Sequence, residues 1–170
     1  MRTNKLTIRP ATSRDIPAIA NLIRGLAKYE RLSKHCHPSL ANLRRHAFGK
    51  HRYFESLICE WNARPIGIAV YYFTYSTFTS TPSLFIEDIF VEPAERGQGA
   101  GKALMRSLAR IATKKGCNQM EWIVLAWNKP AIRFYDRLGA RLDRTWLLTR
   151  LPRKNFLRLA RPRGISRDGE

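Results

Sequence analysis

The segment Arg96-Gly97-Gln98-Gly99-Ala100-Gly101 constrains this chain more than any other. It follows a strongly apolar strand-like run, Leu84–Val91 (LFIEDIFV), and opens a helical stretch from about Ala100 to Lys115 that Gly116 stops. Glycines in such a turn let backbone N–H groups converge without Cβ obstruction. The helix that follows adds the positive end of its dipole, so the turn suits a phosphate or pyrophosphate. Arg96 can add a charge-assisted contact. The same spacing also fits a plain strand-to-helix turn. A P-loop is excluded, because no Gly-Lys-Ser/Thr follows. A clean dinucleotide fingerprint is absent too, since Lys102 stands where its third glycine belongs.

Around this turn the chain alternates strand and helix patterns. Leu6–Arg9 reads as a strand ended by Pro10, and Thr12 or Ser13 can cap a helix that runs to about Glu30. Ser39 can cap a second helix, closed by Gly49. Phe54–Trp61 and Pro65–Thr74, joined by Asn62-Ala63-Arg64, form a hairpin signal. Ser76–Ser83 reads as a Ser/Thr/Pro loop. After the glycine turn come a strand over Met120–Ala126, a helix from Lys129-Pro130 to about Leu138, a last strand over Trp146–Leu151 and a short helix over Asn155–Ala160. The pattern predicts one α/β (α+β) domain over residues 1–160, with a basic, frayed tail at 161–170. A length of 170 residues agrees with one domain, and no repeat or linker interrupts it.

Charge narrows the partners. The chain carries 31 Lys and Arg against 13 Asp and Glu, net +18, which favours an anionic partner. Residues 51–90 break the trend, with two basic and four acidic residues, net −2. An acidic island in a basic chain suits a cationic ligand there, and screening makes local charge matter more than the net figure. No apolar stretch approaches the ~18 residues needed to span a bilayer, and the N-terminus lacks the apolar core of a secretory signal. Cys36, Cys59 and Cys117 are an odd, scattered set without metal spacing, so no metal is expected and the cytoplasm is the expected compartment. Cys59 and Cys117 read as buried small hydrophobes.

Two further segments can carry chemistry. Glu87 and Asp88 interrupt an apolar strand, where an ionised carboxylate is costly unless paired. Strict alternation predicts opposite faces for them: Glu87 with Phe85, Ile89 and Val91, and Asp88 with Leu84, Ile86 and Phe90. In Trp127–Tyr135, Asn128 can cap a helix whose apolar stripe includes Ala131, Phe134, Tyr135 and Leu138. Tyr135 is equally readable as a core tyrosine.

Together these segments resemble the GNAT superfamily of acetyl-CoA-dependent N-acetyltransferases. The likeness rests on Arg96-Gly97-x-Gly99-x-Gly101 and on Asn128-x-Pro130-Ala131-x-x-Phe134-Tyr135 with Gly139-Ala140. It extends toward the diamine acetyltransferases (spermidine/spermine and thialysine) through Ile8–Thr12, Leu26–Glu30, Phe48-Gly49, Tyr71–Tyr75 and Glu87-Asp88-x-Phe90-Val91. It covers roughly residues 5–160.

The resemblance implies a GNAT domain with a central mixed, twisted sheet flanked by helices on both faces. It implies that Arg96, Gly97, Gln98, Gly99, Ala100 and Gly101 hold the CoA pyrophosphate. Ile89, Phe90 and Val91 would pair with the pantetheine arm, and a backbone N–H there would polarise the thioester carbonyl. Asn128 and Tyr135 would complete the cofactor contacts. Glu87 stands at the position of the general base, which frees the amine of its proton, and Tyr135 at that of the acid, which protonates the leaving sulfur. Glu87, Asp88 and Tyr72 would meet the acceptor, and Glu55 and Glu60 would add to the local negative charge. Where the polyamine enzymes carry an aspartate after the Tyr71–Tyr75 segment, this chain has Ser76. A homodimer follows from the resemblance alone.

The expected function is transfer of acetyl from acetyl-CoA to a primary amine of a small cationic acceptor. Two alternatives stand beside it. One keeps the chemistry but takes a protein or peptide acceptor in an open groove. The other is a nucleic-acid-binding protein, suggested by the basic tail from Arg150 to Arg167, although no recognisable reading head accompanies it.

Overall fold

Pro10 closes the first strand, and the chain enters its first helix through a short 3-10 turn. In the computed structural model, which describes residues 5–161, β1 is Leu6–Pro10 and α1 is Ile16–Tyr29. The turn over Ser13–Asp15 is held by the Asp15 carboxylate, which accepts from the Thr12 N–H at 2.7 Å. Ser39 caps α2 (Leu40–Phe48) by accepting from the Asn42 N–H. The hairpin follows as β2 (Glu55–Trp61) and β3 (Arg64–Ser76), with Asn62 at φ 51° and Ala63 at φ 62° in the two-residue turn. Next come β4 (Thr81–Val91), α3 (Ala100–Lys114) and β5 (Gln119–Trp122). Beyond them lie α4 (Lys129–Asp136) and α5 (Arg153–Leu159).

The sheet is mixed, in the order β1-β2-β3-β4-β5, antiparallel except for the parallel β4–β5 pair. β3 is buried without alternation from Ile66 to Tyr71, the mark of a sheet covered on both faces. On one face Ile16, Ile19 and Leu22 of α1 pack against Ile58, Ile68, Val70 and Phe90. Leu57, Cys59 and Ala69 point the other way and are buried as well, on the face that α3 covers with Leu104 and Leu108. Arg9 fixes β1 at the start of α1. Its guanidinium donates twice to Asp15, at 2.8 Å each, and twice to Glu60, at 2.7 and 3.0 Å.

The chain divides into two compact units, Met1–Ile123 and Val124–Glu170. The second holds α4 and α5. Asn128 caps α4 through its side-chain oxygen, which accepts from the Ala131 N–H, and Gly139 at φ +85° ends that helical region.

Three readings of the sequence are corrected. Trp146–Leu151 is not a strand: residues 141–152 are irregular, and Trp146 and Leu147 are 77% and 87% exposed. An apolar run becomes a strand only with a partner ladder, and this one has none among the described residues. Ser76–Ser83 is not a loop. The turn is confined to residues 77–80, and Tyr75 pairs with Pro82 and Thr74 with Ser83. The strand expected to run from Met120 to Ala126 ends at Trp122. Most of the expected tail at 161–170 lies outside the described residues.

Candidate active site

Glycine creates the first part of the site. After Val91 a short 3-10 turn, Pro93–Glu95, leads into the glycine segment. Arg64 braces that turn with ion pairs to Glu92, at 3.2 Å, and to Glu95. Gly97 and Gly99 then adopt φ of +82° and +85°, a left-handed backbone that L side chains rarely take. Ala103 is the first amide of α3 to bond back, to the Gly99 carbonyl at 2.9 Å. Among the described residues, the N–H groups of Gly97 through Lys102 have no acceptor. A run of free amides at a helix start fits a pyrophosphate. The Arg96 side chain is engaged elsewhere: Nε donates to the Val91 carbonyl at 3.0 Å, and the guanidinium carbon lies 4.2 Å from the centre of the Tyr29 ring.

The second part is a break in β4. β5 pairs only with Ser83–Ile86, so the β4 edge is without a β5 partner from Glu87 onward. Ile89, Phe90 and Val91 lie in this stretch. At the same point the ladder with β3 slips. Val70 opposes Asp88 while Tyr71 opposes Ile86, so Glu87 is an extra residue, a β-bulge. The bulge overturns strict alternation. Asp88 shares a face with Phe90 but not with Leu84 or Ile86, and both Glu87 and Asp88 line the groove on the α1 side.

That groove has a volume of about 320 Å³. Ile23, Leu43, Tyr53, Phe54, Val70 and Tyr72 form its walls, and the two carboxylates supply its charge. Glu87 is exposed, although apolar side chains form the walls of the groove it lines. Asp88 is half-buried, and its pKa is pushed up to about 6, first by burial and then by Glu87 and Glu30. Burial and the Glu87 charge also raise the Tyr72 phenol above its ordinary range.

The wider acidic island is only partly available. Glu60 is held by Arg9. Glu55 lies on the opposite sheet face, where it accepts from the Tyr71 hydroxyl at 3.1 Å. Glu30, just past α1, acts on Asp88 instead, and burial raises its own pKa. Sequence reasoning did not place Glu30 in the site, although it ends the Leu26–Glu30 motif. Ile23 and Leu43 were equally hidden, because helical periodicity marks them only as core. Cys59 is buried, with its thiol pushed up to about 11 by burial and the Glu60 charge, while Cys117 is partly exposed rather than buried.

In the C-terminal unit Asn128 is buried and caps α4, the structural role weighed for it from sequence. Tyr135 is half-buried on α4, its ring 5.4 Å from that of Phe134. Among the described residues, no helix is long and apolar enough to cross a membrane.

A free-amide turn, an open strand edge and an acidic groove converge on one strand-turn-helix unit, the layout of an acyl-transferring enzyme. Residues 21–140 match the acetyltransferase (GNAT) family, and the chain belongs to it. Acetyltransferases of this family use acetyl-CoA as co-substrate. The chain is 40% identical over 142 residues to the thialysine N-epsilon-acetyltransferase of Sus scrofa, spanning 79% of this chain and 83% of that protein. It is 35% identical over 164 residues to the human spermidine/spermine N(1)-acetyltransferase-like protein 1, spanning 90% of this chain but 23% of that protein. Among solved structures, an integron cassette protein from the mobile metagenome of V. cholerae superposes with a TM-score of 0.77 at 22% identity, covering 92% of this chain and 98% of that one. That likeness speaks to the fold alone. The protein is thus an acetyl-transferring enzyme with amine acceptors.

Proposed function

We propose that this enzyme moves the acetyl group of acetyl-CoA to a primary amine of a small cationic acceptor: a diamine, a polyamine or a lysine-like amino acid. The observation that carries the reading is the β4 bulge, which sets Glu87 and Asp88 in one apolar-walled groove beside an open strand edge. The names of the curated relatives point to the same class of acceptor.

Acetyl-CoA supplies an activated thioester. The free amides of Gly97 to Lys102 bind its pyrophosphate, with Arg96, Gly97, Gln98, Gly99, Ala100 and Gly101 forming the turn. Ile89, Phe90 and Val91 present the strand edge to the pantetheine arm, and a backbone N–H there polarises the carbonyl. Asn128 and Tyr135 complete the cofactor contacts in this reading.

A lysine-like amine has a pKa of ~10 and arrives as an ammonium, which cannot attack. The Glu87–Asp88 pair attracts it and takes one proton, directly or through water, with Glu87 as the base and Asp88 and Tyr72 in contact with the acceptor. A carboxyl group whose environment brings its pKa toward 6 is suited to proton transfer near neutrality, which makes Asp88 a second candidate for the base. The amine lone pair attacks the carbonyl, the C–S bond breaks and Tyr135 gives its proton to sulfur, while the second proton that the nitrogen sheds in becoming an amide restores the phenol. No enzyme-bound acyl group is needed.

We further expect a homodimer. A family resemblance supports it, as does the exposed apolar run of Trp146, Leu147, Leu148 and Leu151. A monomeric mass in light scattering at micromolar protein removes that part. The cytoplasm as compartment rests on the odd, scattered cysteine set.

The test is CoA release from acetyl-CoA with spermidine, spermine, diamines, lysine, thialysine and a basic peptide. Turnover on one small-amine class supports the reading and selects the acceptor. Turnover on the peptide alone moves the acceptor to proteins, and failure to bind acetyl-CoA sinks the proposal.

A further inference from the structure

Arg96 ends the 3-10 turn ahead of the glycine segment, and its side chain runs away from the free amides toward α1. Nε holds the Val91 carbonyl at 3.0 Å, and the guanidinium carbon lies 4.2 Å from the centre of the Tyr29 ring and 5.8 Å from that of Phe90. A guanidinium over an aromatic face is attracted by the ring quadrupole. One side chain therefore ties three places together: the residue before Gly97, the end of β4 and the last residue of α1.

The α1 end is closed by a tight turn. Arg31 takes a left-handed φ of 62°, and the Leu32 N–H reaches back to the Ala27 carbonyl at 2.8 Å, a Schellman-type closure. Tyr29 and Glu30 lie inside that closed turn. One turn earlier, Gly25 meets Phe90 so closely that a Cβ would come within 2.9 Å of its ring. The α1 end is thus seated on β4 through Gly25 and under Arg96 through Tyr29. The same helix supplies Ile23 to the wall of the acidic groove, and the charge of Glu30, the residue after Tyr29, acts on Asp88 there.

We infer that Arg96 and Tyr29 are positioning residues that couple the two substrate sites, so that CoA bound at the glycine turn orders the Tyr29–Glu30 end of α1 and tightens binding of the amine. The inference rests on the reading of the two sites given above. Its physical basis is shared ordering. An anion on the amides after Arg96 stills the backbone from which the guanidinium extends. The stack on Tyr29 then stays formed, and α1, with Ile23 in the groove wall, is held in place before the amine arrives. The second ligand meets a smaller ordering cost. Coupling of this kind is reciprocal, so the amine tightens CoA by the same factor. The strength of one cation–π contact sets the scale at about three- to tenfold.

The experiment is amide hydrogen exchange on the full chain with and without CoA. Wild type, Tyr29→Phe and Tyr29→Leu are compared. In wild type, CoA slows exchange at residues 97–102, where it binds, and at residues 29–32, by about three- to tenfold. Tyr29→Phe keeps both effects, because the ring face remains. Tyr29→Leu keeps the first and loses the second. Calorimetry with the amine turned over fastest reads the same quantity: its affinity rises about three- to tenfold on saturation with CoA in wild type and not in Tyr29→Leu. Protection at 97–102 without any at 29–32 in wild type overturns the coupling and leaves the proposed function standing. So does an amine affinity that CoA lowers or leaves unchanged. No protection at 97–102 overturns both. Should Tyr29→Leu fail to fold, the wild-type and Tyr29→Phe comparisons decide alone.

Discussion

Glu87 and Asp88 are consecutive in β4 and yet line the same groove, because Glu87 is the residue that the β3 ladder skips. Their charges then act on each other: after burial, the Glu87 charge is the main cause that lifts Asp88 to about 6.

The pair therefore gives a test of which carboxylate moves the proton. If Asp88 is the base, kcat/KM falls as pH drops below about 6, where its carboxyl is protonated. Glu87→Gln removes one of the charges that raise it, so the acidic limb shifts to lower pH while activity above it survives. A Glu87→Gln enzyme with no activity at any pH makes Glu87 the base. A limb that stays in place removes Asp88 from the proton path.

Stability carries a second signature of Asp88. Its folded pKa lies above its unfolded value of 3.8, so the folded state holds more protons between about pH 4 and 6. Stability from this group is greatest below pH 4 and is lost as pH rises through 6. Asp88→Asn accordingly stabilises the protein at pH 8 by on the order of 1–2 kcal/mol, discounted for partial exposure, and has little effect at pH 4. Urea midpoints at the two pH values measure it, and equal shifts at both would falsify the assignment.

Asp15 has the opposite sign. Its bond with Arg9 holds its carboxyl well below the usual range, with burial opposing and Thr12 helping. The stability it contributes is present above about pH 4 and fades as the pH falls further. Asp15→Asn should cost about 1–3 kcal/mol at pH 7 in a urea melt. A neutral result would mean that Arg9 is fully served by Glu60.

Gly99→Ala separates folding from the proposed cofactor binding. A Cβ there meets nothing within 4 Å, so the cost of Gly99→Ala is the backbone strain at φ +85°, about 1–2 kcal/mol. The turn relaxes, and its free amides no longer converge. CoA affinity drops about tenfold or more, with a melting temperature only a few degrees lower. Unchanged affinity in calorimetry would place the pyrophosphate elsewhere.

Tyr135→Phe removes only the hydroxyl. If that hydroxyl is the proton donor to the thiolate leaving group, as proposed, the variant loses roughly 10²-fold or more in kcat, with little change in the KM for the amine. A thioester with a more acidic leaving thiol should recover part of the loss. Full activity in the Phe variant strikes Tyr135 from the chemistry.

Much of this site was legible before the structure. The glycine turn announced itself because positive φ needs glycine. Ser39 and Asn128 both cap helices, as their residue types suggested. Asn62-Ala63 marked the hairpin. Other features depend on partners that a sequence does not display. Period-two counting cannot detect that β3 skips Glu87, so it puts Glu87 and Asp88 on opposite faces when both line one groove. Glu60 counted as an acceptor carboxylate because nothing in the chain order shows Arg9 beside it, 51 residues away. Thr81, Pro82 and Ser83 have the composition of a loop, but cross-strand pairing with Thr74, Tyr75 and Ser76 overrides it. Trp146–Leu151 shows the reverse: strand-forming side chains without a ladder.

The skipped residue has one more consequence. Were Glu87 absent, Asp88 would follow Ile86 directly and still point toward α1, and Ile89, Phe90 and Val91 would keep the orientations they have. The core therefore has no use for this residue, whose carboxylate is an addition to the groove that leaves the packing on both sides of the sheet undisturbed. A substitution at this one position changes the charge of the groove while the fold and the glycine turn remain as they are, so homologues that share this backbone can differ in the chemistry of the groove.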